Sequence, residues 1–324
     1  AGLRHTGALK LALTHPCHDA RNSSVGNGRA SWSVPSETPL IAGRYRVEQL
    51  LGKGGMGAVY AVFDTHLRER VALKRLEQGA AHEAKVTALF EREYATLASL
   101  RHAAVVQVRD FARDEQGPFY TMELVQGHDL STQAPMAWPE VCVCLRDVAA
   151  ILGVLHARGL LHRDLSPRNL LRQSDGRLKL IDFGALVPFG LAHEVVGTPP
   201  FVAPECLQGV PLDQRADLFA LGALGYFLLT GTQAFPARAL AELPGSWARL
   251  PAPPSRVVAQ SAQPTTDPIP PELDRLILAL LAIAREGRPE NTAALIERLS
   301  GIAPLAREQE TSARGYLDSQ SLVG

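Results

Sequence analysis

The sequence has 324 residues, of which 46% are hydrophobic and 20% are charged, and this balance excludes a chain that is disordered throughout. Lys and Arg together number 33, as do Asp and Glu, so the formal net charge is zero, which excludes the broad electrostatic attraction typical of nucleic-acid and anionic-membrane binders. From this charge balance we predict no nucleic-acid partner. The longest apolar stretch, near residues 218–230, contains glycines and is shorter than the roughly 18 to 20 residues of a spanning helix, so we also predict no membrane segment.

The number and spacing of the cysteines and the first residues of the sequence indicate the redox state of the cysteines and the location of the protein. Four cysteines are too few for a disulfide framework in a chain of this length. Cys142 and Cys144 stand two residues apart in a helical pattern, which is not the spacing of a zinc site. We therefore predict reduced, structural cysteines. The start lacks both the apolar core of a signal peptide and an initial Met, so we expect a cytoplasmic protein and a chain that is part of a longer multidomain one.

The first 125 residues are predicted to form a leader followed by a small sheet. Residues 1–40 mix Ser, Gly, Asn and Pro without periodicity, which predicts a disordered leader or linker. Residues 41–125 predict an antiparallel sheet with one helix, because alternating segments flank one segment with apolar residues at three- and four-residue spacing. In chain order these segments are the strands RYRVEQLL, AVYAVFD and RERVALKRL, the helix AHEAKVTALFEREYATLASL, and the two strands of VVQVRDFARDEQGPFYTMELV.

The rest of the chain is predicted to be mainly helical. Residues 126–300 contain four helical patterns, which are WPEVCVCLRDVAAILGVLHARGL, LFALGALGYFLLTG, PELDRLILALLAIA and NTAALIERLSGI. Residues 232–272 are rich in proline and lack periodicity, so we expect a surface connection with a short helix there. Residues 301–324 turn polar and are expected to be a C-terminal linker. The fold class that follows is α+β.

The string LGKGGMGAVY suggests a phosphate-binding loop. Gly52, Gly54 and Gly57 form a G-x-G-x-x-G arrangement, which alone is a weak signal because several phosphate-binding folds and many plain turns share it. A dinucleotide fold needs a helix after the last glycine, but the residues that follow alternate like a strand. A Walker A loop needs Ser or Thr after Gly-Lys, but Gly54 follows Lys53. A glycine-rich hairpin whose amides approach phosphate oxygens remains, with a merely tight turn as the alternative.

A lysine and a glutamate on neighbouring elements form a candidate ion pair. Lys74 lies in VALK, and Glu93 follows 19 residues later on the predicted helix. The helix could aim Glu93 at the sheet and hold the ammonium group against the α- and β-phosphates of a nucleotide. The alternatives are a lysine that extends to solvent and a chance surface pair.

The strongest chemical signal is LLHRDLSPRNLL. Asp164 lies in a turn between apolar segments, and Asn169 follows five residues later. This spacing can place a carboxylate beside an acceptor hydroxyl and an amide oxygen on a metal. Asp182 of DFG, thirteen residues after Asn169, adds an oxygen ligand of the kind that Mg²⁺ prefers. A turn-capping Asp164 and a loop acid at Asp182 are the alternative, but the ordered set of motifs favours a base and two metal ligands.

In order and spacing, these motifs resemble those of the eukaryotic-like (Hanks-type) protein kinases, and GKGGMG is closest to the bacterial serine/threonine protein kinases. The resemblance covers residues 44–300 and also includes GTPPFVAPE, DLFALG and a late arginine. It implies a bilobal α+β fold, with a small antiparallel β-sheet lobe that carries one helix at 41–125 and a larger, mainly helical lobe at 126–300. It also implies ATP and Mg²⁺ as cofactors and a protein substrate with a Ser or Thr acceptor.

The resemblance assigns chemical roles to single residues. Asp164 would be the catalytic base, Lys74 and Glu93 the ion pair that positions the phosphates, and Asn169 and Asp182 the Mg²⁺ ligands.

The resemblance also implies nucleotide contacts and two internal braces. The expected nucleotide contacts outside the glycine loop and Lys74 are Val59, Ala72 and Leu171 around the adenine, Met122 as gatekeeper, Glu123 and Val125 as the hinge, and Asp129 at the ribose. Glu205 is expected to pair with Arg288, and Asp217 is expected to brace the catalytic loop.

The sequence departs from the family pattern beside the predicted base. Serine/threonine kinases usually carry a lysine two residues after the catalytic aspartate, but this chain has Ser166 there. Arg168, at a place where many tyrosine kinases carry an arginine, is expected to replace the missing cation, because it is always charged and has several donors. Thr198 stands where serine/threonine kinases place a threonine that bonds the catalytic aspartate, and it favours Ser/Thr specificity over Tyr.

The stretch between Gly184 and Thr198 reads ALVPFGLAHEVVG and contains no Ser, Thr or Tyr. Many kinases phosphorylate this segment, and the phosphate pairs with the arginine of HRD, here Arg163. We therefore expect activity without phosphorylation of the segment. Glu194 is its only acid and could stand in for the phosphate, with a plain surface role as the alternative.

Two other functions are alternatives to an active protein kinase. An ATP-binding pseudokinase or regulatory scaffold module would explain Ser166 and the segment without a phosphorylation site, but the intact Lys74, Asp164 and Asp182 argue against it. A small-molecule kinase of the aminoglycoside type would lack GTPPFVAPE.

Overall fold

The computed structural model describes residues 40–54, 57–77, 84–192, 194–261 and 267–303. The predicted leader, except Leu40, and the predicted C-terminal linker after residue 303 lie outside the described residues, as do Gly55 and Met56 of the glycine loop.

The chain divides into two compact units. Among the described residues, one comprises those up to Phe90 together with Arg109–Leu124, and the other comprises Glu91–Val108 and those from Val125 on. The segment before residue 109 groups with the second unit because Val106 N–H donates to the Leu180 carbonyl at 3.0 Å and Leu180 N–H donates to the Ala104 carbonyl at 2.9 Å. The sequence alone did not place this segment apart from the predicted sheet lobe.

The predicted antiparallel sheet with one helix is present at the expected place. The sheet has five strands in the order β1-β2-β3-β5-β4. The elements are β1 (Tyr45–Gly54), β2 (Gly57–Asp64), β3 (Glu69–Leu76), α1 (Ala84–Ser99), β4 (Val108–Asp114) and β5 (Gly117–Glu123).

Strand alternation gives this sheet two different faces. One face carries the hydrophobic core of the first unit, where Tyr45, Val62, Val71, Leu73 and Phe119 are buried together. The rings of Tyr45 and Phe119 meet edge to face at a centroid distance of 5.9 Å. The residues between these core positions on β2, β3 and β5 therefore point to the opposite face.

The second unit is mainly helical, as predicted. Its helices are α2 (Trp138–His156), α3 (Arg215–Thr230), α4 (Leu243–Trp247), α5 (Pro254–Ala259), α6 (Pro271–Leu280) and α7 (Thr292–Ile302). Its short strands are β6 (His128–Asp129), β7 (Leu160–Leu161), β8 (Leu170–Arg172), β9 (Leu178–Leu180) and β10 (Val187–Pro188). Strands β6, β8 and β9 form one small sheet in that order, and β7 pairs with β10.

The nearly all-apolar helix α3 is buried along most of its length. A Cβ atom added at Gly222 would lie 2.5 Å from Leu280 Cβ, and one added at Gly225 would lie 2.8 Å from Ile277 Cδ1. The two glycines thus let α6 approach α3 closely, which explains why they interrupt the apolar run. Among the described residues, no helix combines the length and the apolar character that crossing a membrane requires.

The described part of the proline-rich connection contains two short α-helices, α4 and α5, where one short helix was predicted. It also departs from the expected surface position, because Phe235 and Leu243 are fully buried. The ring of Phe235 stacks on that of Phe219 in α3 at a centroid distance of 5.7 Å. Sparse large apolar residues, which show no periodicity, are sufficient to anchor this segment to the core.

The described cysteines fit the structural role predicted for them. Cys142, Cys144 and Cys206 are free thiols. Burial raises the pKa of Cys142 and of Cys206 to about 11 in each case. Both thiols are therefore protonated and unreactive at neutral pH.

Candidate active site

The two predicted metal ligands lie at one end of a hairpin. Asn169 directly precedes β8, and Asp182 follows β9 by two residues. Leu170 pairs with Leu180 in the antiparallel register, and Ile181 N–H donates to the Asn169 carbonyl at 3.0 Å. Because the first strand of such a hairpin begins where the second ends, the structure brings Asn169 and Asp182 together.

The carboxylate of Asp164 is held by two neighbouring residues. The backbone N–H and the hydroxyl of Thr198 both donate to Asp164 Oδ1, each at 2.9 Å. Asn169 Nδ2 donates to the Asp164 carbonyl oxygen at 2.8 Å and to Asp164 Oδ2 at 3.2 Å. Oδ1 is thus occupied by two good hydrogen bonds, whereas Oδ2 receives one long bond and has capacity for a further donor.

The same contacts decide which atoms could face a metal ion. Because the amide nitrogen of Asn169 is bound to Asp164, the amide oxygen is left as the group that can ligate. Asp182 Oδ1 accepts the N–H of Gly184 at 3.1 Å, and the side chain is half-buried. An amide oxygen and a carboxylate are hard oxygen ligands, and this donor set fits Mg²⁺, which takes few protein ligands and completes its shell with phosphate oxygens and water.

Asp217 of α3 holds the backbone of the loop that carries Asp164. Its Oδ2 accepts His162 N–H and its Oδ1 accepts Arg163 N–H, both at 2.9 Å, so the predicted brace is present. Arg163 has a φ of 67°, which is unfavourable for a residue with a side chain, and the two bonds compensate for this. Burial would raise the pKa of Asp217, but hydrogen bonds and the nearby histidines hold it below its usual value.

A third donor to this carboxylate was not predicted from the sequence. His156 Nε2 lies 2.9 Å from Asp217 Oδ2. No motif flanks His156, which closes α2 six residues before His162, so only an explicit search for partners of the buried acid would have found it.

A buried ion pair ties the segment after Thr198 to the helical core, as predicted. Arg288 Nη1 lies 2.5 Å from Glu205 Oε1, and Arg288 Nη2 lies 2.9 Å from Glu205 Oε2. Arg288 also donates to the carbonyl oxygens of Ala282 and Arg215 and lies over the ring of Phe219, 4.9 Å from its centroid. The pair is bidentate and surrounded by further partners, which is the geometry that a buried ion pair needs.

Main-chain contacts hold residues 187–190, at the start of the segment that leads to Thr198. Strand β10 pairs with β7, and Phe189 N–H donates to the Gly159 carbonyl at 2.8 Å. Gly190 and Leu212 exchange two hydrogen bonds of 2.9 Å and 2.8 Å. Each of these bonds uses backbone atoms, so none of them depends on a side-chain modification.

Arg163 also contacts this segment, but in a different way from the one expected. Its guanidinium donates to the main-chain carbonyl of Glu194. The carboxylate of Glu194 acts on Arg163 through its negative charge, while burial lowers the pKa of Arg163. The carbonyl group therefore occupies a donor of Arg163 that meets a phosphate in many kinases.

The two residues that depart from the family pattern differ in exposure. Ser166 is buried, whereas Arg168 is exposed in the 3-10 turn Pro167–Asn169. Arg168 forms no hydrogen bond or ion pair within the part of the chain that the structure describes. Its donors are thus available to an anionic ligand beside Asp164 and Asn169.

In the first unit, Lys74 shares a sheet face with residues predicted to hold adenine. Lys74 lies opposite Val59 on β2, and Ala72 lies opposite Met122 on β5. Ala72 and Lys74 are two residues apart, so all four side chains lie on one face, opposite the hydrophobic core.

Helix α1 packs on this same face of the sheet. Its Phe90 ring lies 5.1 Å from the ring of Tyr120, and Tyr120 is the β5 partner of Lys74. Glu93 follows Phe90 by three residues on α1 and is 3% exposed.

The three glycines of the glycine loop differ in how closely other atoms of the chain surround them. A Cβ atom at Gly57 would lie 2.1 Å from the carbonyl oxygen of Arg75, so strand packing requires glycine at this position. At Gly52 and Gly54, a Cβ atom would meet no described atom within 4 Å. Internal packing therefore does not explain the first two glycines, whereas close approach of a phosphate would.

The remaining predicted contacts are distributed over both units. Glu123 closes β5, and Val125 begins the second part of the other unit. Asp129 pairs with Leu171 between β6 and β8, and its Oδ1 accepts Ser131 N–H at 2.9 Å. The predicted nucleotide pocket and the predicted Lys74–Glu93 ion pair each require residues from both units. Both stay predictions.

Comparison with known proteins adds independent information. Residues 45–298 match the family described as "Protein kinase domain". Serine/threonine-protein kinase Pkn1 of Myxococcus xanthus is 34% identical over 330 aligned residues, which cover 97% of this chain and 46% of Pkn1. Serine/threonine-protein kinase PknL of Mycobacterium tuberculosis (strain ATCC 25618 / H37Rv) is 32% identical over 278 residues, which cover 83% of this chain and 68% of PknL.

A more distant relative shows the same pattern of coverage. Serine/threonine-protein kinase PknD of Chlamydia pneumoniae is 28% identical over 308 residues, which cover 84% of this chain and 31% of PknD. The chain thus spans about half the length of Pkn1 and a smaller share of PknD.

Proposed function

The chain belongs to the protein kinase domain family, and from this premise we propose that it transfers the γ-phosphate of ATP to Ser or Thr hydroxyls of a protein substrate. One observation carries the proposal. Asp164 has one carboxylate oxygen held by Thr198 and the other open to a donor, next to the oxygen ligands Asn169 and Asp182.

The chain's own residues perform positioning and proton handling in this reaction. Asp164 Oδ2 accepts the hydrogen bond of the incoming hydroxyl, orients it and takes its proton as the oxygen attacks the γ-phosphorus, while the bond from this phosphorus to the β,γ-bridging oxygen breaks and ADP leaves. Asn169 and Asp182 would hold Mg²⁺, which would neutralise the negative charge of the phosphates. Lys74 and the amides of the glycine loop orient the nucleotide, so most of the rate enhancement comes from alignment.

The choice of Ser or Thr as acceptor rests on Thr198 and on the relatives. The Thr198 hydroxyl donates to Asp164 at 2.9 Å, in the manner that the resemblance implies for serine/threonine kinases. Pkn1, PknL and PknD all carry the name serine/threonine-protein kinase.

The wider setting is part of the same proposal. ATP and Mg²⁺ are the cofactors, the substrate is a protein, and the chain is one module of a longer, multidomain protein. A cytoplasmic location fits a module that consumes ATP.

A second candidate function is an ATP-binding pseudokinase or scaffold module. Ser166 favours it, because this buried residue stands where the family carries a lysine. The two functions differ in turnover. We expect the purified chain with labelled ATP and Mg²⁺ to label itself or a generic protein substrate, and phosphoamino-acid analysis to return phosphoserine or phosphothreonine. Nucleotide binding by titration without any label transfer would favour the module instead.

We predict that Arg168 supplies the cation missing at Ser166. Arg168→Ala is expected to lower kcat about 100-fold, because removal of one charged donor from a developing anion has an effect of this order. Arg168→Lys, which keeps the charge, should retain more activity, and adding Ser166→Lys to Arg168→Ala should restore part of kcat. Steady-state assays test this, and an Arg168→Ala variant with nearly unchanged phosphate transfer would disprove the role.

We also predict activity without phosphorylation of the segment between Gly184 and Thr198. The segment has no Ser, Thr or Tyr before Thr198, and backbone bonds already hold its first part, up to Gly190. Protein treated with a general phosphatase is expected to show the same initial rate as protein preincubated with ATP and Mg²⁺, with no lag. A rate that falls after phosphatase treatment, together with a phosphate on Thr198 by mass spectrometry, would contradict this.

A further inference from the structure

An ion pair joins the glycine loop to β3. Lys53 stands between Gly52 and Gly54, and its Nζ lies 2.5 Å from Oε1 of Glu77, the residue directly after β3. The two side chains are 63% and 43% exposed. The motifs assign no role to either of them. The loop that is expected to meet the phosphates thus has a side-chain connection to the third strand of the sheet.

The strand register places this ion pair on the face of the sheet away from Lys74. Lys53 pairs with Ala58 on β2, and Ala58 pairs with Arg75 on β3. Directly opposed residues point to the same face, and neighbours along a strand point to opposite faces. Lys53 therefore lies on the face opposite to Lys74. Its side chain reaches Glu77 across β2, where the small side chain of Ala58 leaves room for it.

A second cation on this face has partners of its own. Arg75 donates to the carboxylate of Asp114 and to the amide oxygen of Gln116. It therefore does not compete with Lys53 for the carboxylate of Glu77. The ion pair of the glycine loop is separate from the polar cluster around Arg75, so a substitution at Glu77 changes the loop connection and leaves that cluster intact.

The glycines on both sides of Lys53 make the backbone there easy to displace. A Cβ atom at Gly52 or Gly54 would meet no described atom within 4 Å, and the pairing of β1 with β2 shifts register between Leu50 and Gly52. Glycine has more backbone freedom than any other residue, so fixing these amides in one arrangement has a large entropic cost. An ion pair at Lys53 reduces this freedom before a ligand binds.

We propose that Lys53 and Glu77 are positioning residues for ATP, because their ion pair holds the backbone at Gly52 and Gly54 where its amides meet the phosphates. In this role neither side chain contacts the nucleotide. The effect on ATP binding rests on the proposed function of the chain. The effect on the backbone of the loop, which hydrogen exchange measures without nucleotide, does not.

Two variants and a control test the ion pair. Glu77→Gln removes the negative charge but keeps Lys53 and its positive charge. The exchanged variant Lys53→Glu/Glu77→Lys restores an ion pair with the charges reversed. Glu48→Gln is the matched control, because Glu48 on β1 forms another ion pair with β3, at 2.7 Å from Arg70 near the start of that strand.

Binding to the full chain is titrated in the presence of Mg²⁺ with two probes, a non-hydrolysable imido analogue of ATP and adenosine, which has no phosphates. At about 50 mM salt, Glu77→Gln is expected to raise the Kd of the analogue about threefold, the size of effect that an exposed ion pair has. The Kd of adenosine should stay unchanged, since the ion pair acts through phosphate contacts. At about 500 mM salt, where charges are screened, the variant and the wild type should converge.

Hydrogen exchange of the chain without nucleotide is followed in a peptide that spans residues 46–54. Its amides should exchange faster in Glu77→Gln than in the wild type. The exchanged variant should recover most of the analogue affinity and most of the protection. Glu48→Gln should bind both probes as the wild type does.

Other results overturn the proposal. An unchanged Kd of the analogue in Glu77→Gln would show that the ion pair does not position ATP. A lower Kd would show that Glu77 instead keeps Lys53 away from the phosphates. Equal losses for the analogue and adenosine would show a general disturbance of the sheet, and no recovery in the exchanged variant would show that Glu77 acts through another partner. If the wild-type chain binds neither probe, the proposed function fails, and the exchange measurement alone still decides whether the ion pair holds the loop.

Discussion

Asp164→Asn is expected to lower the kcat of phosphate transfer at least about 100-fold while it leaves the fold and nucleotide binding intact. The amide has nearly the same shape as the carboxylate, so its oxygen can still accept the two donors of Thr198. Its nitrogen, however, then stands at Oδ2, where a hydroxyl must donate its hydrogen bond and lose its proton. A general base contributes about 10² to 10⁴ to the rate, and we expect a loss of kcat in that range.

The matched control is Asp175→Asn, at an exposed aspartate in the turn between β8 and β9. Radiolabel transfer and ATP titration are measured on both variants and on wild type. Asp175→Asn should match wild type, and Asp164→Asn should bind ATP with an unchanged Kd. An Asp164→Asn variant that keeps more than about a tenth of the wild-type kcat would mean that Asp164 is not the base.

Arg288→Met is expected to destabilise the protein by about 3 to 5 kcal/mol, the usual effect of leaving one partner of a buried ion pair without the other. The Arg288 side chain is 0% exposed and that of Glu205 is 5% exposed. Removal of the guanidinium leaves the Glu205 carboxylate buried without a counter-charge. It also removes the donors to the carbonyl oxygens of Ala282 and Arg215.

Urea unfolding measures this difference, with an exposed ion pair as the control. Arg275 lies 2.6 Å from Glu272, and these side chains are 74% and 57% exposed. Arg275→Met should therefore change stability by less than about 1 kcal/mol. The double variant Glu205→Gln/Arg288→Met should be more stable than Arg288→Met, because no uncompensated charge remains. Equal effects of Arg288→Met and Arg275→Met would show that the buried pair does not stabilise the core.

The longer elements could be predicted because each produces a periodic pattern over many residues. The pattern that predicted a helix from Trp138 to Leu160 overran its end by four residues. Gly159 adopts a φ of 67° there, and Leu160 pairs with Pro188 in β7 and β10. A two-residue strand has no period, and its partner lies far away in the sequence, so no local pattern could reveal it.

The predicted site residues of the second unit were identifiable because phosphate-transfer chemistry needs fixed residue types at short spacings. Asp164 and Asn169 are five residues apart. The contact between Thr198 and Asp164 followed only from resemblance, since 34 positions separate them. The sequence singled out Glu194 for its negative charge, which acts on Arg163 in the structure, but it could not show that the main-chain carbonyl of Glu194 also accepts a hydrogen bond from Arg163.

The sequence by itself determined the fold class, the family resemblance and the candidate base and metal ligands, because these depend on periodicity and on motifs that are local in the chain. Only the tertiary structure decided which buried groups satisfy one another. His156 and Asp217 are 61 positions apart, and Glu205 and Arg288 are 83 apart. Desolvated charges and donors must find partners wherever the fold brings them together, and a one-dimensional pattern does not record that proximity.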